Sequence, residues 1–79
     1  MYYVTEYQPA VNFGPAPTFT TKATALAHAR SERNDFIKYN GRGCRKERVT
    51  HLDGSEQFLA VHPFYGVQYA ATVHAQREG

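Results

Sequence analysis

Four basic side chains crowd one short stretch of this chain. Arg42, Arg45, Lys46 and Arg48 fall within GRGCRKER, residues 41–48, with the single acid Glu47 among them. Cationic side chains at this density attract anions, either phosphates or an acidic protein surface. The glycines at 41 and 43 let backbone approach such a group closely. On an extended strand Lys46 and Arg48 point to one side and Arg45 to the other, so the charge is split between faces and gathers only at the glycine end. Tyr39, just upstream, offers a ring that can fill a pocket, and arginine and tyrosine are the side chains that most often carry interface energy. The partner-binding set read from the sequence is therefore Arg42, Arg45, Lys46, Arg48 and Tyr39. The competing account is a strand edge kept soluble by its charge.

The other reactive residue types do not assemble into a catalytic pattern. Cys44 stands beside Arg45 and Lys46, a setting that favours thiolate, yet no base is placed next to it. A lone cysteine also excludes an intramolecular disulfide. His51, His62 and His74 fall on successive expected strands, but their spacings match no metal motif, no acid sits with them, and His28 is alone on a helix. No metal site is expected. The segment PFYGVQY, residues 63–69, has the aromatic content of strands that stack on RNA bases, without the basic-glycine start of that motif. Paired carboxylates, a phosphate loop and hydrolase motifs are missing. The expectation is a protein that is not an enzyme and uses no cofactor.

The elements that must position these residues are short. Tyr2 to Gln8, rich in Tyr, Val and Thr, reads as a first strand stopped by Pro9. Residues 11–17, VNFGPAP, read as a loop because Pro15 and Pro17 lack backbone donors. Thr18 to Thr21 supplies candidate N-caps for a helix from Thr21 to about Arg33, where alanine is frequent and Arg30 and Arg33 complement the negative pole of the dipole. Asn34 to Gly43 reads as a connection pinned by Phe36, Ile37 and Tyr39. Arg45 to Leu52 and Glu56 to His62 form a hairpin about Asp53-Gly54, a dipeptide suited to positive φ. A reversal at HPFYG leads into Val67 to Gln76, whose alternation places Val67, Tyr69, Ala71, Val73 and Ala75 on one face. The fold expected is α+β: one helix on a three- or four-stranded antiparallel sheet, in the order β-α-β-β-β. Leu26 is the only large aliphatic side chain of the helix. The sheet must then supply the core from Val4, Val49, Phe58, Leu59, Val61, Val67, Tyr69 and Val73.

Composition bounds the function. A chain of 79 residues makes a single domain, residues 1–79, which on folding buries only about 60–65% of the surface its unfolded form exposes. Its 14% aromatic content, with six Tyr and no Trp, suits half-exposed surfaces, since a tyrosine buries its ring and keeps its hydroxyl wet. A formal charge of +2 is too small for a general nucleic-acid footprint. No apolar run approaches the roughly 18 residues of a membrane span, and MYYVTEYQ lacks the regions of a signal peptide. A cytoplasmic chain with no membrane partner, monomeric or homodimeric, is expected.

The run Thr20-Thr21-Lys22-Ala23-Thr24-Ala25-Leu26-Ala27-His28-Ala29-Arg30, followed by Val49-Thr50-His51-Leu52-Asp53-Gly54 and Phe58-Leu59-Ala60-Val61, has the strand–helix–hairpin layout of some small phage-encoded inhibitors of bacterial defence. In that format the chain resembles the anti-CRISPR proteins, particularly members that bind the type I surveillance complex. The resemblance implies a non-enzymatic inhibitor in the cytoplasm of a bacterial host. Such an inhibitor occupies a host protein or nucleoprotein stoichiometrically and blocks its DNA or its nuclease. A small nucleic-acid-binding module using the basic cluster directly is the alternative.

Overall fold

The computed structural model describes residues 1–76. Along the chain they form β1 (Tyr2–Tyr7), β2 (Thr18–Phe19), α1 (Lys22–Tyr39), β3 (Arg45–Thr50), β4 (Glu56–His62) and β5 (Gly66–Ala75). The strands make one antiparallel sheet in the order β2-β1-β5-β4-β3, with α1 packed across β1, β4 and β5. The α+β class expected from the sequence holds. The strand count does not: there are five, because residues 18–19 pair with Tyr2 and Tyr3. Two residues are too few to show any periodicity, and Pro17 hides the pairing further, although its carbonyl accepts from the Val4 N–H at 3.1 Å.

The helix begins where Thr21 caps it, its Oγ1 accepting from the Thr24 N–H at 3.3 Å. It runs to Tyr39, well past the expected end near Arg33. Asn34 and Asp35 are weak helix formers, but Phe36 and Ile37 pack against the sheet core and Phe36 stacks on Tyr69 at 5.1 Å. Tertiary burial outweighs local propensity there. The stop comes at Asn40 and Gly41, whose N–H groups both donate to the Phe36 carbonyl at 2.8 Å. A Cβ on Gly41 would lie 2.7 Å from the Phe36 ring, so glycine is required for that close approach.

Alanine meets alanine at the centre of the helix–sheet interface. Ala25 and Ala29 of α1, and Ala60 and Ala71 of the sheet, are fully buried. These small side chains bring helix and sheet together, and the bulk comes from Val4, Phe58, Tyr69 and Val73. Four residues expected in that core lie elsewhere. Register places Val49 opposite Gln57 and Glu47 opposite Leu59, on the face away from the helix, and leaves Val49 exposed. Leu59 and Val61 cluster with Ala70 apart from the main core. A register shift between Ala60 and Val61 pairs Ala60 with Tyr69 but Val61 with Val67. This bulge breaks the alternation that had put Val67 with Tyr69.

The β3–β4 hairpin turns as its dipeptide dictates. Gly54 has φ +88°, the His51 N–H donates to the Ser55 carbonyl at 2.9 Å, and Asp53 Oδ1 accepts from the Ser55 N–H and Oγ. Those two bonds hold the Asp53 carboxyl below its ordinary range. No helix among the described residues is long and apolar enough to cross a membrane.

Candidate functional site

The end of α1, the start of β3, the end of β4 and the start of β5 meet at one pole of the molecule. Arg45 opens β3 opposite Val61, His62 closes β4 opposite Gly66, and a Cβ at Gly43 would come within 3.8 Å of His62 Nε2. Three aromatic side chains stand out from this pole: Tyr39 at 70% exposure, Phe64 at 86% and Tyr65 at 77%. Phe64 and Tyr65 are held by His62, and Lys38 lies over the Tyr39 ring at 5.2 Å. His62 Nδ1 accepts from the Phe64 N–H at 3.1 Å and the Tyr65 N–H at 3.3 Å, and its ring rests against Tyr65 at 4.7 Å. Those acceptor roles put the imidazole proton on Nε2. The residues read only as a reversal therefore build an exposed aromatic corner.

The basic cluster divides at the same pole. Arg45 is bound by Glu47, Nε to Oε1 at 2.9 Å. Arg48 points to the helix side, where Nη2 donates to Glu56 Oε1 at 2.6 Å and the guanidinium lies 5.1 Å from the centre of the Phe58 ring. Arg42 and Lys46 are exposed and make no ion pair among the described residues. The four bases thus supply two free cations and two that serve the fold. Cys44 is half-buried against the core, as a small residue at a strand start.

Arg33 was read as a complement to the helix dipole and has a different task. It is buried, it donates from Nη1 to the Glu47 carbonyl at 3.0 Å, and its Nε donates to Asn34 Oδ1. Its guanidinium, with those of Arg30 and Arg48, lies over Phe58 at 5.1–5.8 Å. Burial first, and then the neighbouring Arg30 charge, push its pKa down from the ordinary arginine value. Glu56 joins the same layer, held below the usual carboxylate range chiefly by the Arg48 hydrogen bond, with Lys22 3.7 Å away.

A second constellation overturns the view of His28 as isolated. Glu6 from β1 and His28 and Glu32 from α1 bring their ligating atoms within 4.8 Å of one another, all three half-buried. His28 and Glu32 are four residues apart and share a helix face. Glu6 lies two residues beyond Val4 and shares its helix-facing side of β1. The buried Tyr69 hydroxyl donates to Glu6 Oε1 at 3.0 Å. Burial, followed by the Glu6 charge, raises the Tyr69 pKa well above that of a free phenol, so it stays a donor. The i, i+4 pair was visible in the sequence; what brings Glu6 to it is the pairing of β1 with β5 beneath the helix.

The remaining histidines are occupied separately. His51 Nε2 contacts Gln57 Oε1 at 3.0 Å, while His74 stacks on Tyr3 at 4.8 Å and contacts Thr5 Oγ1. They do not converge with His62.

The fold and its surface define a class: a small α+β domain with one helix on a five-stranded antiparallel sheet and an aromatic and basic pole. No protein-family model, curated protein or solved structure matches the chain.

Proposed function

We propose that this chain is a non-enzymatic binding protein that acts by occupying the surface of a larger partner. A host nucleoprotein such as a CRISPR surveillance complex, the target class of the inhibitors whose layout it resembles, is the partner proposed. The observation that carries this reading is the gathering of Tyr39, Phe64 and Tyr65 with the free cations Arg42 and Lys46 at one pole. Exposed rings supply area for a partner's pockets, and the free charges speed encounter with an acidic protein surface. A module gripping nucleic acid directly needs more phosphate contacts than the three unpaired cations of this pole, Arg42, Lys46 and Lys38, make. The internal pairing of Arg45 and Arg48 therefore favours a protein surface as the thing bound.

Affinity capture from a bacterial lysate recovers the partner, and its binding is then measured in purified form. The Arg42→Glu/Lys46→Glu and Tyr39→Ala/Phe64→Ala variants are each expected to bind at least about tenfold more weakly, near 1.4 kcal/mol. Circular dichroism of both is expected to match the parent, since none of these side chains is buried. Undiminished affinity in both folded variants would move the contact surface away from this pole.

A further inference from the structure

We propose that Glu6, His28 and Glu32 form a binding site for a first-row divalent transition-metal ion. The inference is independent of the partner-binding pole. It starts from geometry. Three atoms mutually within 4.8 Å share a central point no more than about 2.8 Å from each, against the roughly 2.0–2.2 Å that zinc takes to nitrogen and carboxylate oxygen. Closing the difference takes well under 1 Å per ligand, within the reach of glutamate side-chain torsions. The backbone of β1 and α1 need not move.

The donor set selects the ion class. One imidazole nitrogen with two carboxylate oxygens suits zinc, manganese or iron(II), whereas magnesium and calcium prefer oxygen alone. Three protein ligands leave positions for water or for an oxygen of a bound group, an open rather than a closed site.

The surroundings hold the ligands as metal sites do. Tyr69, buried and stacked on Phe36, anchors Glu6 through its hydroxyl at 3.0 Å, and Phe19 packs on the His28 ring at 5.0 Å. Such outer contacts orient ligands and tune their affinity. Charge points the same way. Glu47 and Glu56 are paired with arginine or lysine, and Asp53 is held by Ser55. Glu6 and Glu32, with Asp35, line one cleft and make no ion pair among the described residues. In a protein with a formal charge of +2, this pocket alone among the described residues gathers uncompensated carboxylates. A divalent cation relieves the repulsion between two half-buried ones brought face to face.

The test is calorimetric titration of the chelator-treated full chain with zinc chloride, and separately with manganese chloride, alongside thermal melts. Expected are one equivalent of zinc bound with a dissociation constant in the micromolar range and a rise of several degrees in melting temperature. His28→Gln and Glu32→Gln are each expected to weaken binding at least about tenfold, with helicity unchanged by circular dichroism. A His51→Gln/His62→Gln/His74→Gln variant is expected to bind as the parent does, and the nitrogen resonances of His28 are expected to shift on titration. No saturable binding by the parent at about 100 µM zinc, or parental affinity in folded His28→Gln, overturns the site.

Discussion

Glu56 shows how single residues in this protein join elements. Its carboxylate sits in β4 but takes Arg48 from β3 at 2.6 Å and Lys22 from α1 at 3.7 Å, above a core whose largest fully buried side chain is Phe58. Only its charged form makes both contacts, so the folded state lowers its pKa. A carboxyl depressed on folding contributes stability that is complete above its unfolded value, about 4.3 for glutamate. That contribution is lost as pH falls through the folded value. Glu56→Gln keeps the shape and removes the charge. It is expected to cost about 1–2 kcal/mol at neutral pH, a difference that shrinks steadily below about pH 4. Urea unfolding of parent and variant at several pH values measures this. Asp53, whose carboxyl is also depressed, acts alike in both proteins and cancels. A difference that stays constant into the acid range would remove Glu56 from the pH dependence.

Among the elements, the turn of the β3–β4 hairpin was readable because its signal is local, while the end of β3 at Thr50 and the exposed face of Val49 were not. Asp53-Gly54 requires a positive φ, and Gly54 has it at +88°. A Cβ at Gly54 meets nothing within 4 Å, and the same is true of Gly14, whose φ is not in the left-handed region. The pair separates backbone strain from crowding. Gly54→Val is expected to destabilise by about 1–3 kcal/mol, and Gly14→Ala to change stability by less than about 0.5 kcal/mol. Equal melting temperatures for Gly54→Val and parent would refute the backbone requirement. What the sequence hid was decided at a distance. The last turns of α1 exist because Phe36 reaches Tyr69. The bulge at Val61 re-aims Val67, and β2 exists through its pairing with Tyr2 and Tyr3. The sites follow the same rule: the basic run was plain as text, but its division by Glu47 and Glu56 depends on strand register. Glu6 joins His28 only once β1 lies under the helix.

At the scale of the whole molecule, the distribution of charge bears on the proposal that a protein rather than nucleic acid is the thing bound. Arg33, Arg45 and Arg48 are committed to the fold by a backbone carbonyl, Glu47 and Glu56 respectively, while Lys38, 5.2 Å from the centre of the exposed Tyr39 ring, and the exposed Arg42 and Lys46 make no ion pair among the described residues. Binding to duplex DNA releases counterions in proportion to the phosphates neutralised, with a slope of about −0.9 per phosphate in a plot of log affinity against log salt. Three unpaired cations at the pole set that slope near −3, too shallow and too weak for a duplex-binding module at physiological salt. Titration of a labelled DNA duplex from low to moderate salt, followed by fluorescence anisotropy, is expected to give such a slope with dissociation constants no tighter than about 10⁻⁴ M. A slope of about −4.5 or steeper would mean that Arg45 and Arg48 leave their carboxylates for phosphates. In that event the nucleic-acid reading replaces the protein one, and Glu47→Gln, by freeing Arg45, should tighten DNA binding further. Under the protein-surface reading the same substitution leaves DNA binding weak, because the exposed rings at the pole, not the number of free cations, then supply most of the affinity.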